Sequence, residues 1–139
     1  MTDPIPFQVR GLDHVVFRVR DLTRMEAFYR EALGCEVIKR QEHLGLVHIR
    51  AGLSLVDLVS VEGRIGHTGG AAPGREGHNV AHICLRVDPF DAAAIQARMR
   101  ALGVPCGGPS SNFGAEGEGP SLYLTDPEGN TVELKGPSE

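Results

Sequence analysis

The chain has 139 residues, a net charge of −4, 41% hydrophobic and 23% charged residues, the makeup of one ordinary globular domain with enough apolar surface for a core. A pI near 5.8, no Trp and 5% aromatics exclude a basic or base-stacking nucleic-acid surface. No apolar run approaches the ~20 residues of a membrane span, and MTDPIPFQVR lacks an apolar leader core, so a cytoplasmic protein is expected. Cys35, Cys84 and Cys106 are odd in number and lack C-x-x-C spacing, which reads as free thiols.

In chain order, LDHVVFRV (12–19) reads as a strand with Leu12, His14, Val16 and Arg18 on one face. DLTRMEAFYREALG follows as an amphipathic helix, with Thr23 and Glu26 spaced as a capping box and Gly34 as its end. Three strands are predicted at about 35–41, 45–50 and 53–60. Six glycines and one proline make 62–78 a loop. VAHICLRV (80–87) is the next strand, and DPFDAAAIQARMRALG the second helix, with Asp88 as N-cap and Pro89 in the first turn. A short strand near 104–107 leads into a glycine-rich loop at 107–119, which could form a flap. PSLYLT (120–125), the turn DPEGN (126–130) and TVELK (131–135) close the chain.

This order is one unit written twice. LDHVVFRVRD matches VAHICLRVDP at an offset of 68, placing His14 over His82, Arg18 over Arg86 and Val19 over Val87. Both helices end in A-L-G, and Val56-Asp57-Leu58 matches Val132-Glu133-Leu134 at an offset of 76. The expected fold is α+β, with two tandem βαβββ modules (about 9–61 and 79–136) cupping a mixed sheet around a cavity, all within one domain spanning 1–139.

The repeat also groups the chemistry. Each module has a His on its first strand and a carboxylate on its last: His14 with Asp57, His82 with Glu133. A carboxylate among Leu and Val is costly to bury unless paired or metal-bound. Two imidazoles and two carboxylates make an N2O2 donor set that suits Ni, Co, Zn, Mn or Fe better than Ca or Mg. Taken alone, a strand His reads as a packed core histidine and a strand Asp or Glu as a solvent-facing acid; the recurrence turns them into a candidate ligand set.

The two modules, the helix segment FYREALG and the closing YLTDPEGNTVEL resemble the vicinal oxygen chelate superfamily, over about residues 9–136. That group includes glyoxalase I, fosfomycin-resistance enzymes, methylmalonyl-CoA epimerase, extradiol dioxygenases and bleomycin-binding proteins. The resemblance implies one divalent metal held by His14, Asp57, His82 and Glu133, with Glu133 or Asp57 moving a proton. It implies a glyoxalase-like lyase or isomerase, or an Fe(II) dioxygenase on His14, His82 and Glu133, or a non-catalytic antibiotic binder. It also implies a homodimer, with sites built from both chains, and a small-molecule ligand.

The chain departs from the glyoxalase pattern with Asp57 in place of Glu or Gln. It also lacks the glutathione-binding Asn, reading Leu58-Val59-Ser60-Val61 there. The dioxygenase pattern supplies a match to Tyr123, ten residues before Glu133, but its extra His is missing from Ala51-Gly52-Leu53. Arg18 and Arg86 share faces with the histidines and read either as cavity cations for an anionic substrate or as surface charges. His43, His67 and His78 read as solvated, His48 as a lesser cavity residue, and Cys84 as a small buried hydrophobe.

Overall fold

The computed structural model describes residues 3–139. Strand β1 (His14–Val19) leads into helix α1 (Leu22–Ala27), which continues as one wider π-type turn over Phe28–Ala32. Strands β2 (Glu36–Gln41), β3 (Leu46–Ala51) and β4 (Ser54–Ser60) complete the first module. Strand β5 (Ile83–Arg86), helix α2 (Ala92–Ala101) and strands β6 (Ser110–Gly114), β7 (Gly117–Thr125) and β8 (Thr131–Lys135) form the second. Each module makes its own four-stranded sheet, ordered β1-β4-β3-β2 and β5-β8-β7-β6. The first and last strands of each module run parallel, and the other neighbours run antiparallel. The expected α+β fold of two βαβββ modules is thus the observed one.

The registers repeat as well. Val16 faces Asp57 across β1 and β4, and Cys84 faces Glu133 across β5 and β8. Alternation then sorts each sheet. Phe17, Val19, Ile49, Val56 and Leu58 turn toward the helices and join Met25, Phe28, Tyr29, Met99, Leu124, Val132 and Leu134 in one apolar core that spans both modules. The face away from the helices carries the polar set. Polar ties also cross between modules. The Glu128 carboxylate accepts from Arg20 N–H and Asp21 N–H at 2.7–2.9 Å, Asn79 Nδ2 donates to the Arg18 carbonyl at 3.1 Å, and Arg98 donates to the Glu31 and Ala32 carbonyls.

Several expectations are corrected. The cap of α1 is Asp21, whose carboxylate accepts from Arg24 N–H at 3.0 Å, and not Thr23. Glu26, expected to reach back to the cap, instead forms a forked ion pair with Arg40 on β2, and that guanidinium holds its carboxyl below the ordinary value. The cap of α2 is Asp91, accepting from Ala94 N–H at 3.0 Å, while Asp88 precedes a cis Pro89 outside the helix. The strand at 104–107 reduces to a single bridge between Cys106 and Leu124.

The largest correction is at 107–119, which is no loop or flap but the hairpin β6–β7. Gly117 turns the hairpin with φ +104°, while two of its other glycines serve packing. The Lys135 side chain crosses beneath them, so that a Cβ at Gly114 would sit 2.6 Å from Lys135 Cε and one at Gly119 would sit 2.9 Å from Nζ. Glycine density signals a loop only when its conformational freedom is what is used; at Gly114 and Gly119 it is the lack of a side chain.

Candidate functional site

Both His–carboxylate pairs of the sequence lie on the sheet faces away from the helices. In the second module His82 Nε2 stands 3.1 Å from Glu133 Oε1. Glu133 is only 5% exposed, while His82 is open to solvent. Tyr123, opposite Glu133 in the β7–β8 register, packs its ring edge-on against His82 with 5.7 Å between centroids. Partial burial, and then the Glu133 carboxylate, hold the Tyr123 phenol above its ordinary value. Cys84 lies on the same face, also opposite Glu133, and is exposed. Burial of its thiol and the Glu133 charge push it up to about 11.

In the first module His14 stands on the face of Asp57, two residues before the Val16 that opposes it, as His82 stands two before Cys84. His14 Nδ1 lies 2.7 Å from Asp13 Oδ1, and this hydrogen bond first, with Asp57 a lesser contributor, raises the imidazole above its ordinary value. Asp57 is 4% exposed and meets His48 on β3, Nδ1 to Oδ1 3.0 Å. His48 Nε2 in turn lies 2.9 Å from Gln41 Nε2 on β2. The sequence reading missed this contact. Antiparallel register places His48 opposite Asp57, and that register follows from the short turn at Gly52-Leu53, which no offset between the modules reveals.

The two arginines are already engaged. Arg18 donates from Nε to Gly66 O at 2.8 Å, from one terminal nitrogen to Gly70 O at 2.7 Å and from the other to Ala71 O at 3.1 Å. Its guanidinium therefore fastens the 62–78 loop to β1; it is neither an open cavity cation nor an unattached surface charge. Arg86 pairs with the Glu116 carboxylate and donates to Val87 O at 2.5 Å, both near solvent. The other histidines contribute little: His67 Nδ1 lies 3.1 Å from the Gly63 carbonyl, out in solvent.

As a donor set the four residues fit a transition metal: two imidazoles, two carboxylates, the acids buried and the rings open. In one chain only His82 and Glu133 are in contact; His14 shares a face with Asp57 but meets Asp13, and Asp57 meets His48. Among the described residues no three His, Cys, Asp or Glu side chains gather closely enough to hold one ion. β1 and β5 are edge strands, each paired on one side only. Near these edges Leu12 is 86%, Val16 45% and Val80 38% exposed. A groove of about 520 Å³ opens on the helix-bearing side, lined by Phe28, Leu102, Val104 and Pro105 among others, and holds none of the four residues.

A family model described as the Glyoxalase/Bleomycin resistance protein/Dioxygenase superfamily matches residues 11–134. The mitochondrial methylmalonyl-CoA epimerase of Homo sapiens is 28% identical over 95 residues, 66% of this chain and 54% of the epimerase, so the chain spans about half the length of that relative. The Bos taurus epimerase is 27% identical over 130 residues, 89% of this chain and 73% of its own. Among solved structures, a virulence protein of Salmonella typhimurium superposes with a TM-score of 0.78 at 22% identity, covering 94% of this chain and 99% of that one. The lactoylglutathione lyase of Agrobacterium tumefaciens superposes at 0.66 and 23% identity, covering 92% and 94%. The fosfomycin resistance protein FosX of Mesorhizobium loti gives 0.66 and 21%, covering 94% and 95%. At these identities the structural likenesses establish the fold.

Proposed function

The chain belongs to the glyoxalase/bleomycin resistance protein/dioxygenase superfamily, and from that membership we propose that it is a metal-dependent lyase, isomerase or epimerase acting on a small, oxygen-rich, anionic substrate. The observation that carries this reading is the doubled half-site: a histidine and a buried carboxylate in the same register at the open edge of each sheet. Neither pair alone supplies enough ligands. Bringing the β1 edge of one protomer against the β5 edge of its partner in a homodimer would complete a four-ligand site and cover Leu12, Val16 and Val80. His14 and Asp57 of one protomer and His82 and Glu133 of its partner would then hold the ion.

The chemistry a divalent metal held by these residues would supply is polarisation of adjacent substrate oxygens, which would acidify the neighbouring C–H. Glu133, held beside Tyr123 and His82, is placed to take that proton and return it, with Asp57 as the second carboxylate. The neutral Tyr123 phenol can donate to a substrate oxygen. Arg86 is the cation best placed for the anionic end: its pairing with Glu116 is exposed, and exposed ion pairs are worth only ~0–1 kcal/mol, so a substrate carboxylate can displace it. Arg18 keeps its loop in place.

Metal analysis of protein purified without added metal, with proton exchange from a 2-substituted thioester or 2-hydroxy acid followed by NMR in D2O, tests the reading. Stoichiometric nickel, cobalt or zinc with exchange at the carbon next to the carbonyl is expected. Redox-active iron with oxygen consumption would move the assignment to a dioxygenase; absence of metal and of exchange would move it to a small-molecule binder.

A further inference from the structure

The contact between His48 and Asp57 is one link of a chain across three neighbouring strands. Gln41 on β2, His48 on β3 and Asp57 on β4 are joined at 2.9 and 3.0 Å. The direction of each link follows from the chemistry. The amide nitrogen of Gln41 only donates, so His48 Nε2 accepts and carries no proton. The ring proton is then on Nδ1, where it donates to Asp57 Oδ1. Turning the amide over would place its oxygen against Nε2 and demand a second ring proton.

We propose that Gln41 and His48 are positioning residues for Asp57, fixing the imidazole as the Nδ1–H tautomer so that Oδ1 is held and Oδ2 alone is free for the site. This rests on the reading that Asp57 serves the metal site. Its support is geometric. Asp57 is 4% exposed and the His48 side chain 17%, so neither ring nor carboxylate is free to wander in solvent. The arrangement also has a counterpart: the register position that His48 holds opposite Asp57 is held by Tyr123 opposite Glu133. Each module thus sets a polar side chain from its third strand against its carboxylate, an imidazole in one and a phenol in the other. Asp57 is one methylene shorter than Glu133, and a fixed direction matters more for a short carboxylate with less reach.

Two measurements decide it. Long-range 1H–15N NMR of the intact protein should show His48 as the Nδ1–H tautomer; a dominant Nε2–H form overturns the proposal without any variant. Titration with Co2+ then reads what the positioning does. Outer-shell partners of ligands are typically worth about ten- to hundredfold in metal affinity. His48→Leu should weaken Co2+ binding by about that factor and shift its visible absorption. His48→Asn, whose amide N–H falls near the position of Nδ1–H, should restore affinity to within about threefold of the parent. Equal losses in both variants, or none in His48→Leu, overturn the proposal. Failure of the parent protein to take up Co2+ would instead sink the metal reading, and the tautomer alone would then decide the positioning role.

Discussion

His82, the residue just before β5, meets Glu133 on the neighbouring parallel strand β8, Nε2 to Oε1 at 3.1 Å, although the whole of α2 and the β6–β7 hairpin separate them in sequence. The carboxylate is buried and the imidazole open. This is the arrangement expected of an acid held by the fold for use at an exposed edge.

The first prediction concerns that pair and its counterpart. His14→Ala, His82→Ala and Glu133→Gln should each lower metal content sharply in protein prepared with one equivalent of Co2+. The fold should persist, because the core of Phe17, Tyr29, Leu58, Leu124 and Val132 contains none of them. Circular dichroism with elemental analysis reads both. Full metal content in both histidine variants would remove them from the site.

Assembly is the second. The β1 and β5 edges have a strand partner on one side only and lie beside exposed apolar side chains, a surface that proteins normally cover. Sedimentation at micromolar concentration should show a dimer. Leu12→Glu, which sets a charge at an 86% exposed position beside β1, should weaken association by about tenfold or more, the effect of about 1.4 kcal/mol. A lone 14.9 kDa species in the parent protein would contradict the shared site.

Much of this was legible in the sequence because the chain states its pattern twice. Alternation in LDHVVFRV and VAHICLRV puts each histidine on the face of the carboxylate that the offsets of 68 and 76 match to it, but only His82 meets that carboxylate, Asp57 meeting His48 instead. TVELK is the observed β8 without change. Contacts that depend on antiparallel register or on the third dimension were not legible. His48 reaches Asp57 only through the length of the β3–β4 turn. Gly114 and Gly119 look like loop residues until Lys135 is seen crossing them. Arg18 shares the face of His14 as alternation requires, yet three carbonyls of a distant loop occupy it. The helix caps shifted because two capping side chains lie near each helix start, Asp21 and Thr23 at one and Asp88 and Asp91 at the other, and the cap is the one whose backbone is extended just before the first helical turn.

The third prediction follows from that use of Arg18. Its three donors hold the 62–78 loop, and each such bond contributes about 0.5–1.5 kcal/mol net. Arg18→Ala should therefore open the loop locally while the sheets remain intact. Trypsin cleavage at Arg64 and Arg75 should accelerate by about tenfold or more, with the thermal midpoint little changed. Unchanged cleavage at both sites would show that the loop is held by something else.

The fourth concerns Cys84, which is exposed yet should be unreactive. The thiolate is the attacking species, and this thiol is pushed up to about 11, first by burial of its sulfur and then by the Glu133 carboxylate. Near neutral pH its alkylation by iodoacetamide should run about a hundredfold slower than that of an ordinary cysteine, rising with pH until about 11. Glu133→Gln removes the charge but not the burial, which is the larger cause, so it should recover only part of the rate. The same shift sets a direction for stability. The folded state binds the thiol proton more tightly than the unfolded chain, so this contribution is complete below about 9, the ordinary thiol value, and is lost as pH rises through about 11. Peptide mass spectrometry of the Cys84 segment after timed alkylation at several pH values reads the profile. Alkylation at pH 7.5 as fast as that of a free thiol would show that neither burial nor the Glu133 charge holds the thiol up in solution.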